Sequence, residues 1–423
     1  MVSNKVKIQL LIVSMALLPW FIYMLLRPEL FTYPFQRQEN PDILIKLFGP
    51  YDALITGIAV VGASFLMAWA TEASQFMFSQ AFALAILALL QVFPEYMFEA
   101  TLAWKRHIEL ASATMTGANR LLLGAGWPLI VFIAYLASKF RGDNPAMKEV
   151  KLDISQSVEI FFLVIMTAYS FVIVAKSSLD IFDAVILVAM YLVYLIFTLR
   201  MPSEPIEEAE HIHGPAKVML NMNAFKRNLS ISIFLLIGAV IIFFGAPSFI
   251  GSVQVVALTV GIETYFLAQW IAPLLSEFPE STSAFYYAST KHLAPMGMGN
   301  LVSSKVNQWS LLIGTIPLVY SLSIGHLAFI PLNELQQHEI LLTGAQSAYG
   351  VALLSKMRIT IYEAATLFTL WFIQMIYPPI RIEVTIIYLI LAVFELIYHR
   401  KEARKLLDEF IRAAKYVIWR KVA

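Results

Sequence analysis

Runs of about twenty apolar residues, the length an α-helix needs to cross a bilayer, recur along almost the whole chain between short polar stretches. They fall near 6–26, 52–71, 79–102, 116–138, 157–176, 179–199, 229–250, 254–290, 300–324, 338–355, 359–378 and 382–398. This pattern predicts an all-α, polytopic membrane protein with about 12 transmembrane helices. The run from 254 is overlong and punctuated by Gly251, Gly261 and Pro273, and the helix before it is expected to continue to about 258. The first run, Val6 to Leu26, exceeds a signal-peptide apolar core and lacks a small-residue cleavage site, so it reads as a retained helix.

Basic residues orient the pattern. Lys139, Arg141, Lys148 and Lys151 share one loop, Arg200, Lys217, Lys226 and Arg227 a second, and Lys356 and Arg358 a third. With twelve spans these loops and the basic C-terminal tail fall on one side, whereas the 325–338 connection opposite has no Lys or Arg. Positive loops stay inside, so both termini are expected in the cytoplasm and the protein in the plasma membrane. Lys105 and Arg106 land on the other side, against the rule. In the tail, Leu406, Leu407, Phe410, Ile411, Ala414, Val417 and Ile418 share a helical face opposite basic residues, which suits a helix on the membrane surface.

Composition narrows the function. Of 423 residues 59% are hydrophobic and 14% charged, against about 25% charged in a soluble domain. The partners expected are therefore the lipid bilayer and inorganic cations, and a net charge of +1 gives no reason to expect nucleic acid. The chain has no cysteine, which excludes disulfides, thiolate catalysis and cysteine metal sites. It has no Gly-Lys-Thr phosphate loop, Gly-x-Ser-x-Gly elbow or His-Glu-x-x-His motif. An enzyme is not expected, nor a cofactor, and the energy source must be an ion gradient. Tryptophans such as Trp104, Trp127, Trp270 and Trp309 lie in or near apolar runs, where interface anchoring accounts for several.

Two proline-glutamate steps interrupt this apolar background, Phe93-Pro94-Glu95 and Phe278-Pro279-Glu280. A carboxylate near the bilayer centre costs about 2.5–3.5 kcal/mol on insertion scales and is seldom kept without a use. The helix-breaking Pro94 and Pro279 each remove a hydrogen bond and leave a carbonyl four residues back, at Leu90 or Leu275, without its donor. Two broken helices that each offer a carboxylate and a freed carbonyl suit a dehydrated cation. The plain alternative for Glu95 and Glu280 is a protonated or ion-paired structural acid. Glu99, one turn beyond Glu95, either extends the ion path or reaches the interface, and Glu263 is either an interface residue or part of an ion entry.

The steps lie 185 residues apart in a repeat. Leu-Gln-Val-Phe-Pro-Glu (90–95) answers Leu-Ser-Glu-Phe-Pro-Glu (275–280), and Thr-Met-Thr-Gly-Ala-Asn (114–119) answers Asn-Leu-Val-Ser-Ser-Lys (300–305). With twelve spans the first Pro-Glu helix runs outward and the second inward. The halves then form an inverted repeat, which exposes one midplane site to each side in turn.

These paired motifs resemble those of the calcium/cation antiporter superfamily, which includes the sodium/calcium exchangers. That family carries a Gly-Thr-Ser-x-Pro-Glu helix followed by a Gly-Asn-x-x-Gly-Ser-Asn helix in each of two α-repeats. Residues 117–128 and 299–305 are recognisable versions of the second element, and Gly62 through Ser79 resembles the first helix and the turn after it. The resemblance covers about residues 50–378 and implies a ten-helix inverted-repeat exchanger core with one extra helix at each end. It makes Glu95 and Glu280 the central metal-binding carboxylates, Asn119 an amide ligand, and Gln91 and Ser276 the counterparts of the family's threonines. Ser304 joins this cation-binding set, with polar packing between helices as the alternative for it and for Asn119. Ca²⁺ takes about six to eight oxygen ligands, which two carboxylates with carbonyls and amides can supply.

The departures matter as much. Val92 and Glu277 replace motif serines, which should weaken a sodium site, and Lys305 stands where the family has an amide or carboxylate. An ammonium cannot ligate a cation. Glu277 and Lys305 either cancel as a pair, leaving Glu95 and Glu280 to balance one Ca²⁺, or Lys305 fills an ion site as a tethered cation, or it exchanges a proton. Arg120, beside the expected site, should snorkel or pair.

The expected organisation is an N-terminal extra transmembrane helix and loop (1–50), a first exchanger repeat half (51–199), a cytoplasmic linker (200–228), a second half (229–378), and an extra transmembrane helix with a basic amphipathic tail (379–423). The linker's Glu-Glu-Ala-Glu-His-Ile-His (207–213) reads as a solvated acidic loop rather than a metal site. The expected function is secondary active antiport of Ca²⁺ against Na⁺ or H⁺, by alternating access at Glu95 and Glu280. A proton-coupled transporter of another cation and a non-transporting membrane scaffold or sensor remain as alternatives.

Overall fold

A computed structural model describes residues 4–26, 43–74, 77, 80–143, 146–153, 156–201, 214–259, 261 and 267–419. The 207–213 segment and Glu263 lie outside the described residues. The first half comprises α1 (Asn4–Leu26), α2 (Ile43–Ser74), α3 (Gln80–Gln91), α4 (Phe93–Trp104), α5 (Ile108–Leu121), α6 (Trp127–Arg141), α7 (Ser157–Lys176) and α8 (Ile181–Arg200). A short α9 (Gly214–Leu220) leads to α10 (Ala224–Thr259), α11 (Ala272–Ser276), α12 (Phe278–Ser289), α13 (Ala294–Asn307), α14 (Ile313–Ile324), α15 (Glu334–Leu354) and α16 (Ile361–Ile376). Then follow α17 (Arg381–Tyr398) and α18 (Arg400–Trp419). The helical expectation omits two three-residue ribbons: β1 (Glu149–Lys151) pairs antiparallel with β4 (Arg358–Thr360), and β2 (Ser178–Asp180) with β3 (Phe329–Pro331).

The chain is an all-α, polytopic membrane protein with an inverted-repeat core. Among the described residues six segments are long and apolar enough to cross a membrane: Val6–Leu26, Pro50–Ser74, Ile108–Arg141, Ser157–Lys176, Ile181–Arg200 and Ala224–Gly245. Other expected spans are shorter or broken. The run at 79–102 divides at Val92 into α3 and α4, and the one from 254 contains a break at Glu277. Gly251 does not end α10, which continues to Thr259; a helical glycine costs only about 1 kcal/mol, and α10 packs along α2. Of the tail's apolar face, Leu406 and Val417 are buried and Phe410 stacks on Phe161, while Leu407 and Ile411 stay exposed.

The repeat is written in the backbone. The breaks at Val92 (φ −71°, ψ −9°) and Glu277 (φ −78°, ψ −1°) have nearly the same conformation, and each opens a 12-residue helix. The four non-glycine residues with positive φ among those described form two matching pairs, Arg106 (64°) with His292 (68°) and Ser177 (53°) with Met357 (57°). Such conformations are uncommon outside glycine, so coincidence is a poor account of the match. Single π-helical turns follow α5 at Leu122–Gly126 and α13 at Gln308–Leu312. Capping boxes open α8 at Asp180 and α16 at Thr360, and each second acid, Asp183 or Glu363, ion-pairs with a lysine seven residues earlier, Lys176 or Lys356. Strand pairing is exchanged between halves, β1 with β4 and β2 with β3, as inversion requires. The β1–β4 ribbon also brings the basic loops around Lys151 and Arg358 together.

Candidate cation site

The two Pro-Glu steps place their prolines in the first turn of a second helix. There the missing N–H has no intrahelical partner to lose, so the break falls one residue before each helix begins, at Val92 and Glu277. The Glu277 N–H donates to the Pro273 carbonyl at 2.9 Å, and Pro279 has no N–H to offer the Leu275 carbonyl four residues back. Glu95 and Glu280 occupy the first turns of α4 and α12, where the positive end of the helix dipole favours a carboxylate. Both are fully buried.

The contacts that position these acids cross between the repeats. Glu95 accepts hydrogen bonds from Ser276 Oγ at 3.1 Å and Gln308 Nε2 at 2.8 Å. Gln91 Nε2 donates to the Pro279 carbonyl at 3.0 Å and to Ser283 Oγ at 2.7 Å, while Gln91 Oε1 faces Asn300 Nδ2 at 3.4 Å. Glu280 lies within electrostatic reach of Glu95 and beside Ser304. Among the described residues neither Glu280 oxygen meets hydrogen-bond geometry with a partner, and the same holds for both oxygens of Glu99. Glu99 is fully buried and feels the charge of Glu95, so it faces the bundle and not the interface.

Asn119 and Lys305 meet. Lys305 Nζ donates to the Asn119 carbonyl at 3.1 Å and to its Oδ1 at 2.7 Å, and Asn119 Nδ2 donates to the Met115 carbonyl at 2.9 Å. Both Asn119 oxygens are thus engaged by an ammonium. Lys305 and Glu277 act on one another electrostatically but make no ion pair within 4 Å, so of the alternatives open for them mutual charge compensation stands without a direct contact. Trp309 is fully buried, so it is not among the tryptophans that interface anchoring accounts for, and its ring centroid lies 4.4 Å from Lys305 Nζ. Arg120 pairs with Glu339, which also holds Arg381 of α17, and its guanidinium lies 5.4 Å from the Trp270 ring centroid.

Close backbone approach makes this geometry available. A Cβ on Gly117 would lie 2.0 Å from the carbonyl oxygen of Gln269, in the π-helical turn Leu267–Ile271 that precedes α11. Only glycine lets α5 come so near.

Sequence reasoning passed over Gln308, gave no site role to Asn300 or Trp309, and missed a second pair of acids. Glu159 and Glu339 follow Gln156 and Gln336 by three residues, and those glutamines accept from the N–H groups of Asp153 and Asn333. The matched Gln-x-x-Glu spacing was the available signal. Glu339 sits between two arginines, whereas Glu159 Oε1 accepts from Ser303 Oγ at 2.8 Å and Tyr194 OH at 3.4 Å. No group of three or more His, Cys, Asp or Glu suited to a metal ion occurs among the described residues. Two carboxylates completed by amide, hydroxyl and carbonyl oxygens form a different kind of donor set, compatible with a transported hard cation.

A family model described as sodium/calcium exchanger protein matches residues 53–200 and 230–378. The chain is similar to the crystal structure of the H⁺/Ca²⁺ exchanger CAX, with 35% identity, 98% of this chain and 99% of that chain covered, and a TM-score of 0.79. Its fold is also similar to that of the sodium-calcium exchanger NCX_Mj soaked with Na⁺ and Sr²⁺, at 17% identity, covering 78% of this chain and 99% of that chain, with a TM-score of 0.59. A comparison with curated proteins gave no match.

Proposed function

The chain belongs to the sodium/calcium exchanger protein family, and from that premise we propose that it expels Ca²⁺ in exchange for protons. It is a secondary active cation antiporter and not an enzyme; the cations are its substrates. The observation that carries the proton reading is the charge inventory around the breaks. Glu95 is buried, and the buried Glu99, Glu277 and Glu280 are each electrostatically linked to it, against the one ammonium of Lys305. Such a cluster cannot remain fully ionised in a dry bundle. Protons neutralise it when calcium leaves, and calcium displaces protons when it binds. The 35% identity to a structure named as an H⁺/Ca²⁺ exchanger supports the same choice.

In this reading Glu95 and Glu280 ligate Ca²⁺, helped by oxygens of Gln91, Ser276 and Ser304. Gln308 holds Glu95 in place, and Glu280, with no donor meeting hydrogen-bond geometry, is the more readily recruited carboxylate. Alternating access follows from moving the first helix of each repeat across the break region. Because calcium and protons compete for the same carboxyls, exchange needs no direct communication between them. Twelve spans, cytoplasmic termini and a plasma-membrane location complete the proposal, with repeat halves 51–199 and 229–378 flanked by the extra segments 1–50 and 379–423 and joined by 200–228. The pairing of β1 with β4 between two basic loops supports that orientation.

Calcium binding to the purified protein should release protons, read with a pH-sensitive dye in weak buffer. Calcium binding without proton release would contradict the proton reading while leaving the family assignment intact.

A further inference from the structure

Lys305 is fully buried, yet its ammonium is given to neutral groups: two oxygens of Asn119, at 2.7 and 3.1 Å, and the face of Trp309 at 4.4 Å. The other lysine-centred networks differ. Lys176 pairs with Asp180 and Asp183, and Lys356 with Glu363 and Glu395. A carbonyl, an amide oxygen and an aromatic face make a ligand set that a monovalent cation accepts in a dry site. If position 305 only tied the repeats together, a neutral amide could bridge to Asn119 without burying a charge, which costs several kcal/mol when poorly paired. The negative field of Glu277 offsets only part of that cost, without touching the ammonium, and the Arg120 guanidinium adds to it.

We propose that the Lys305 ammonium is a tethered cation filling a monovalent-cation site made by Asn119 and Trp309, and that its permanent occupancy excludes Na⁺ from the transport cycle. The occupancy stands on the contacts alone; the exclusion of Na⁺ from transport rests on the calcium-for-proton reading. The side chain thus sets which ion can drive exchange, and removing it should leave a hole of matching size and ligand type.

The test is thermal melting of the purified full-length protein in Na⁺, in methylammonium and in a bulky organic cation, for the wild type, Lys305→Ala and Lys305→Met. Lys305→Ala should be stabilised by Na⁺ or methylammonium by about 3 °C over the bulky cation. The wild type, and Lys305→Met, which fills the space without charge, should not respond. A Lys305→Ala protein indifferent to small cations, or a wild type that responds as strongly, overturns the proposal. If Lys305→Ala does not fold, Lys305→Asn is read in the same way, and failure of both to fold even with methylammonium marks a structural tie and overturns it too. In proteoliposomes Lys305→Ala should gain sodium-driven calcium uptake roughly tenfold above wild type, the effect of a newly available coupling site. A wild type already driven by sodium would sink the proton reading, while the melting experiment would still decide the occupancy.

Discussion

Lys305 donates to both oxygens of Asn119, and the two residues are each other's counterparts in the repeat. Each is followed three residues later by the start of a π-helical turn, at Leu122 and at Gln308. A contact between equivalent positions flanks the pseudo-two-fold axis, where an inverted-repeat transporter builds its midplane site. The same element bears an amide in one half and an ammonium in the other, so the site is asymmetric at its centre although the backbone around it is nearly matched.

Gly117 sets how closely α5 approaches the turn before α11. Gly117→Val should destabilise the purified protein by about 2 kcal/mol or more, since the backbone has to move aside. Gly126→Ala, whose new Cβ would meet only Leu301 Cδ1 at 3.2 Å and Leu122 Cδ1 at 3.6 Å, should cost less. Denaturant unfolding compares the two, and equal stabilities would count against the close approach.

The paired acids Glu159 and Glu339 should part company on substitution. Glu339→Gln strips two arginines of their carboxylate and should cost about 3–5 kcal/mol. Glu159→Gln keeps an oxygen for Ser303 and Tyr194 and should cost less than about 1.5 kcal/mol. The reverse order in unfolding experiments would refute this division of roles.

Gln308→Ala removes one donor to Glu95 and should weaken calcium binding roughly tenfold, the value of a hydrogen bond to a charged group. Calcium titration of the purified protein reads it directly. Unchanged affinity would mean that Gln308 does not position the site.

At the membrane surface, partial burial acts to raise the Glu149 carboxyl, but Arg358 and Lys151 outweigh it and hold the group below the usual carboxylate range. A depressed folded pKa contributes stability above the ordinary carboxylate value and loses it as pH falls through the folded value. Glu149→Gln should therefore cost no more than about 0.5 kcal/mol at neutral pH, with the difference vanishing in acid. Melting curves across pH check the sign; a difference that grows in acid would contradict it.

Much of this was legible in the sequence because the bilayer constrains it. Twenty-residue apolar runs outlined the helical fold, and carboxylates beside proline marked the break region. The repeat register relating Asn119 to Lys305 also came from sequence. The contacts of Lys305 did not: the sequence left pairing with Glu277, a tethered cation and proton exchange all open, and the cross-repeat approach delivered Asn119 and a tryptophan face. The continuation of α10 past Gly251 was legible and holds to Thr259, whereas Gln308 was hidden because a single amide in an apolar run gives no periodic signal. Arg120 illustrates the same limit, since its partner Glu339 lies more than 200 residues away.

The most direct test of the account is uptake of radiolabelled calcium into proteoliposomes, driven in parallel by an outward proton gradient and an outward sodium gradient, with Glu95→Gln and Glu280→Gln alongside. The account predicts uptake under the proton gradient, none under sodium, and none from either variant. Uptake driven by sodium alone, or retained in both variants, would contradict it.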